Sequence, residues 1–233
     1  AKNGILKAKY DEFIPKNGIN SICKFLINEK DLQTNTKIIK AQNSNNKWFL
    51  EDENHKVYED FDLLFITIPA PQILEMQIEL QDDFKQKLSH IKYDSVFSLI
   101  LYSNENLKLD EKKIYENVDV SDIINNSKKY LYKDVSSYII HSTKEFANCL
   151  NHKNKDEIYK LFLENFEEEL QDELKNFTTI EHFWKYANAK NSLDMPYFLN
   201  EEKNLGICGD YFNHNNMEAA LSSSELLGNV KFD

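Results

Sequence analysis

Phe61, Leu63, Leu64, Phe65, Ile66, Thr67 and Ile68 crowd into one eight-residue run that stops at Pro69. No other stretch restricts the fold as much. A run so apolar and β-branched reads as a strand buried on both faces, the usual state of a strand in a parallel sheet. Pro69-Ala70-Pro71 ends it, and Ile73, Leu74 and Met76 then mark the start of a helix. A parallel strand feeding a helix predicts an α/β layer in at least part of the molecule.

The remaining chain supplies both periods. Residues 11–27 read as a short extended lead-in and a helix, with turn chemistry at Pro15-Lys16-Asn17-Gly18. Residues 36–40 and 48–50, separated by a polar cluster, predict a small antiparallel meander. A second helix is expected over 82–91, from the spacing of Phe84, Leu88 and Ile91. Residues 96–101 and 135–141 read as buried strands, and the polar stretch between them carries no clear period. Residues 156–177 predict one long helix with a stripe of Ile158, Leu161, Phe162, Phe166, Leu170 and Leu174, leaving Glu167-Glu168-Glu169 on its solvated face. An aromatic strand is expected over 177–186, a short strand over 205–208, and a last helix over 217–227.

Composition removes several classes of function. The 233-residue chain has a net charge of −11 and contains no Arg, so all 28 of its cationic side chains are Lys. An acidic, Arg-free surface is poorly suited to nucleic acid and offers no guanidinium fork for a phosphate or carboxylate. Cys23, Cys149 and Cys208 are far apart and form no C-x-x-C, which argues against a disulfide framework or a zinc knuckle. The six histidines show no metal-ligand spacing, and no metal is expected. Neither G-x-S-x-G, G-x-x-x-x-G-K-[ST] nor H-E-x-x-H occurs. No apolar stretch reaches the length of a membrane span and no basic-then-apolar leader opens the chain, so a soluble, cytoplasmic protein is expected.

The most informative segment is Leu205-Gly206-Ile207-Cys208-Gly209-Asp210, followed by Met217-Glu218-Ala219-Ala220. It reads as strand, glycine turn, acid and helix start. Glycine permits close backbone approach, the carboxylate accepts from hydroxyls, and the helix start offers free N–H groups. An ordinary strand–turn–helix capped by Asp210 has the same pattern.

Segments in the same order along the chain resemble the renalase-like family of flavin amine-oxidase relatives. Residues 13–22, Phe13-Ile14-Pro15-Lys16-Asn17-Gly18-Ile19-Asn20-Ser21-Ile22, resemble the family's glycine-containing approach to a helix. Residues 61–72 resemble its strand ending in Pro-Ala-Pro-Gln. His182-Phe183-Trp184-Lys185-Tyr186-Ala187 is similar to its His-x-Trp-x-Tyr-Ala strand, and Gly209-Asp210 with Glu218-Ala219-Ala220 to its closing flavin-contact motif. The departures are equally plain. The family has a first βαβ unit with a G-x-G-x-x-G loop, and none of Gly4, Gly18, Gly206, Gly209 and Gly228 has that spacing. Phe183 stands where the family usually has Arg, and Ser222-Ser223 where it has Ser-Gly.

The resemblance implies FAD as cofactor. Gly209, Asp210, Met217, Glu218 and Ala219 would contact it: Asp210 near the ribityl or pyrophosphate region, the helix start at the pyrimidine edge of the ring. It also implies a substrate pocket walled by His182, Trp184 and Tyr186; for Trp184 plain core packing is an equal reading. No catalytic acid or base is identified, since hydride transfer need not use one. The implied fold is mixed α/β (α+β), with a partial FAD-binding Rossmann-like domain over 11–80 and 200–233 and an antiparallel-sheet substrate-type domain over 81–199. With the glycine-loop strand missing from mid-sheet, the strands at 61–68 and 205–208 are expected to lose a shared neighbour. A second chain supplying the dinucleotide-binding unit, a sheet that re-pairs or homodimerises in a non-enzymatic module, or a longer parent enzyme would each resolve this. Two functions stay open: part of an FAD-dependent oxidoreductase taking hydride from an amine or reduced nicotinamide, or a non-catalytic binding or scaffold protein that keeps the substrate-domain fold without flavin.

Overall fold

The computed structural model describes residues 15, 18, 20–27, 32–131 and 134–231. The first helix, α1 (Asn20–Leu26), leaves Ile22, Phe25 and Leu26 exposed. The resemblance noted at residues 13–22 lies largely outside the described residues. Next comes the meander, β1 (Ile38–Ser44), β2 (Lys47–Asp52) and β3 (Val57–Phe61), antiparallel throughout. Asn45 and Asn46 both take positive φ, 53° and 59°, between the paired Ser44 and Lys47. That is the two-residue hairpin turn whose twist matches its strands, and asparagine tolerates it well.

The expected strand at 61–68 divides. Phe61 closes β3 opposite Trp48, and only Leu64–Ile66 form the parallel strand β4. Helix α2 (Ala70–Glu75) follows with Pro71 in its first turn, where a missing N–H costs nothing. A short strand, β5 (Gln77–Ile78), returns parallel to β1, and α3 (Asp82–Ser89) covers the layer with Phe84 and Leu88.

The long strand β6 (Tyr93–Ser103) begins a second sheet. The stretch without a clear period holds α4 (Glu111–Tyr115), β7 (Val120–Asn125) and α5 (Asn126–Lys129). After them come β8 (Ser136–Ser142) and α6 (Lys144–Leu150). The expected single helix over 156–177 is two, α7 (Lys155–Glu164) and α8 (Glu168–Leu174). Phe166 is buried in the break, and its carbonyl accepts from Gln171 Nε2 at 2.8 Å. Glu168 and Glu169 therefore occupy a helix start, where negative charge meets the positive dipole end, and do not form a mid-helix face. Strand β9 (Thr178–Ala189) completes an antiparallel sheet ordered β7-β8-β6-β9.

The chain then returns to the first layer with β10 (Phe198–Asn200), β11 (Leu205–Ile207) and α9 (Met217–Gly228). Here one expectation is corrected. Strands β4 and β11 have not lost a shared neighbour; they pair with each other, parallel, Leu64 with Leu205 and Ile66 with Ile207. Both are short and apolar, and direct pairing satisfies the facing backbone groups of each. Among the described residues β4 forms one edge of this three-stranded sheet and β10 the other.

Two apolar clusters result. One gathers Trp48, Ile66, Ile73, Phe84, Leu88, Phe198, Ile207 and Tyr211. The other lies between one face of the β7-β8-β6-β9 sheet and helices α4 and α6 to α8, through Phe97, Leu99, Ile140, Ile158, Phe162 and Leu174. Phe183 packs against this second cluster, so the position at which the family usually carries Arg here faces the helix-covered core. The sheet's other face, with Ile180 and Trp184, is left exposed. Among the described residues no helix is long and apolar enough to cross a membrane.

Candidate functional site

The parallel pair β4 and β11 aims the chain at the Gly209-Asp210 turn. Gly206 makes this possible within β11. A Cβ there would lie 2.6 Å from the Phe65 ring and 2.8 Å from Leu227 Cδ2, so only glycine lets α9 and the Phe65 ring close over the strand. At Gly209 the equivalent atom would sit 2.8 Å from the Tyr211 ring. Ser223, on the buried face of α9, then clasps the turn. Its Oγ accepts the Gly209 N–H at 3.1 Å and lies 3.1 Å from the Gly209 carbonyl oxygen. The serine that replaces the family's usual glycine thus ties the closing helix to the turn.

Asp210 is half-buried beside the turn, and its Oδ1 accepts the Tyr93 hydroxyl at 2.9 Å. Burial, reinforced by the Asp210 carboxylate, pushes the Tyr93 phenol far above its ordinary value, so the phenol is a permanent donor. The Tyr93 ring meets Tyr186 edge-on at 5.6 Å, and the Tyr186 hydroxyl donates to Glu75 Oε1 at 3.3 Å. Asp210, expected on the cofactor, and Tyr186, expected on the substrate, are therefore joined through Tyr93.

Helix α9 begins at Met217 with Asn216 as its cap. The Asn216 side chain accepts the Ala219 N–H at 2.8 Å, and its carbonyl accepts that of Ala220. The first-turn N–H groups of Met217 and Glu218 remain at an exposed end of the helix, where an electron-rich acceptor is favoured. Ala219 is buried, so its part in such a site is its backbone alone.

His182 and Trp184 lie elsewhere on β9. A bulge opposite Ser95 sets residues 185–187 out of register, with the Ser95 hydroxyl donating to the Lys185 carbonyl at 3.1 Å. Beyond it, Trp184 is half-exposed, its ring 4.0 Å from that of His182. Its indole N–H donates to Ser98 Oγ at 3.0 Å, and Ser98 Oγ is 2.8 Å from His141 Nδ1. The core-packing reading of Trp184 therefore gives way to a place on the open sheet face. The registers set Asp122, His141, Ser98 and His182 in one row across the four strands. Desolvation lowers the His141 pKa, partly offset by Asp122.

Sequence reasoning missed Tyr93, Ser98, Asp122 and His141. Ser98 had a signal, the one hydroxyl within the apolar run 96–101. Tyr93 had none, because its partner is more than a hundred residues away.

Beside β4, a groove of about 410 Å³ opens between the meander and α2. Ile38, Ile39, Leu50, Leu64, Ile66 and Met76 are among the residues that line it.

A flavin fits part of this arrangement. The Gly209 turn itself is closed by Ser223 and the Tyr211 ring, but Asp210 keeps a second carboxylate oxygen and the start of α9 offers N–H groups. The five glycines of the sequence include no loop for the pyrophosphate.

Parallel β4 and β11, an antiparallel meander and a four-stranded antiparallel sheet backed by helices make up the mixed α/β fold of the amine oxidases. A solved wild-type putrescine oxidase bound to putrescine superposes with a TM-score of 0.55 at 9% identity, over 91% of this chain and 53% of that one. For a protoporphyrinogen oxidase candidate from Exiguobacterium sp. the TM-score is 0.58 at 11% identity, over 91% and 51%. In sequence the chain is renalase-like: it is 25% identical to renalase of Mus musculus over 228 residues, covering 91% of this chain and 66% of the mouse protein. It thus spans somewhat less than two thirds of that relative and about half of the two solved structures. No family model matches the sequence.

Proposed function

We propose that this chain forms the flavin-ring and substrate side of an FAD-dependent oxidoreductase of the amine-oxidase kind. A glycine-loop βαβ unit, from a second chain or from polypeptide beyond this sequence, would complete the cofactor site. What carries the reading is the tied assembly of β11, Gly209-Asp210 and α9, together with the similarity to mouse renalase along 91% of the chain.

In this reading Asp210, held by Tyr93, accepts from the sugar-like hydroxyls of the cofactor. The N–H groups of Met217 and Glu218 face its electron-rich edge. When bound, FAD supplies the hydride acceptor. Tyr186 borders the substrate near Asp210, and His182 and Trp184 line the wall formed by the open sheet face. The substrates that suit it are amines or reduced nicotinamides.

The test is retention of a visible flavin band after incubation with excess FAD and gel filtration. It is run on the chain alone and with a polypeptide bearing the glycine-loop unit. The pair is expected to retain flavin and the chain alone little. A colourless pair would sink the reading and leave a non-catalytic scaffold as the better account.

A further inference from the structure

The row Asp122, His141, Ser98 and His182 has a direction that follows from counting protons. An indole N–H can only donate, so Ser98 Oγ accepts from Trp184. The serine hydroxyl then has one proton to place. Ser98 is only 2% exposed, so water does not take that proton, and among the described residues the one acceptor in reach is His141 Nδ1 at 2.8 Å. Donation to Nδ1 makes it the unprotonated nitrogen and puts the ring proton of neutral His141 on Nε2. No protein partner meets Nε2 among the described residues. The Ser–His pair is not a nucleophilic dyad, because Oγ is buried and engaged by the indole.

We propose that Ser98 is a positioning residue: through its hydrogen bonds to Trp184 and His141 it fixes the indole on the open sheet face and holds His141 as the neutral Nε2–H tautomer, a donor to an acceptor lone pair on the substrate. A carbonyl oxygen or a free-base amine nitrogen can accept from that donor, whereas a protonated ammonium cannot. The substrate half of this inference rests on the functional reading above; the relay itself does not.

Three titratable groups surround the imidazole. Asp122 on β7 favours its charged form, and Tyr115 on α4 donates to Asp122 Oδ1 at 3.0 Å, drawing charge from that carboxylate. His182 on β9 lies two strands away in the same row. A hydrogen bond from Ser98 to the neutral ring opposes protonation.

The experiment is nitrogen-15 NMR of the histidine rings in the full chain, titrated with pH, without flavin. His141 is expected to be neutral at pH 7 with its proton on Nε2. Ser98→Ala removes a hydroxyl that can donate only to the neutral ring. It should raise the His141 midpoint by about one pH unit and admit the Nδ1–H tautomer. Asp122→Asn, an exposed change that leaves the core intact, should move the midpoint the opposite way. A native Nδ1–H tautomer would overturn the proposal, as would a Ser98→Ala protein with unchanged midpoint and tautomer. Should that variant not fold, the ring tautomer of native His141 decides alone. Flavin retention and ring tautomer are read separately, so failure of the oxidoreductase reading and failure of the relay are distinguishable.

Discussion

At Gly206 one absent methyl group sets the distance between three elements. The Phe65 ring and Leu227 occupy the space a side chain would need. Leu227 is buried, so it has little room to withdraw. Gly206→Ala should destabilise the fold by about 1–3 kcal/mol, the usual cost of overpacking, read as a lower urea midpoint with an unchanged slope. If the variant also loses Gly209 amide protection in hydrogen exchange, α9 has been displaced from its clasp on the turn. Tyr93 shows the limit of reading single residues. In the sequence it is an aromatic at the start of a strand; in the fold it joins Asp210 to Tyr186.

At the scale of elements, the β2–β3 hairpin carries a pH-sensitive joint. Burial of Asp52 opposes its ionisation, but the N–H groups of Lys56 and Asn54 and the Tyr58 hydroxyl outweigh it and lower the carboxyl pKa. A lowered folded-state pKa adds stability above the ordinary aspartate value and loses it as pH falls through the folded one. Asp52→Asn should therefore be less stable than wild type at pH 7 and lose less on acidification toward pH 3, as followed by urea midpoints across that range. A wild-type acid slope unchanged by the substitution would remove Asp52 from the account.

Elements with a strong local signature were legible in the sequence. The proline stop after the apolar run, the asparagine turn, the helix spacing of Phe84 and Leu88, and the Gly-Asp turn before a helix are all short-range signals. The break between α7 and α8 was not, because the apolar stripe runs straight through it and only the tertiary burial of Phe166 marks the change. Nor was the direct pairing of β4 with β11, which depends on residues about 140 positions apart. The candidate site divides in the same way. Gly209, Asp210 and Trp184 stand in motifs, whereas Ser98 and His141 meet only through strand register.

For the whole molecule, the two tryptophans fall one to each layer. Trp48 is 1% exposed and donates to the Lys203 carbonyl at 2.7 Å, fastening the meander to the loop before β11. Trp184 is 51% exposed on the far sheet. The chain thus carries two built-in optical probes with opposite access to solvent. Acrylamide should quench Trp184 strongly and Trp48 hardly at all, a contrast checked by comparing Trp48→Phe and Trp184→Phe proteins. Equal quenching of the two would contradict their burial. With one lamp left in each variant, the emission of either layer can be followed alone, and a polypeptide that settles over the open sheet should dim or shift one colour while leaving the other untouched.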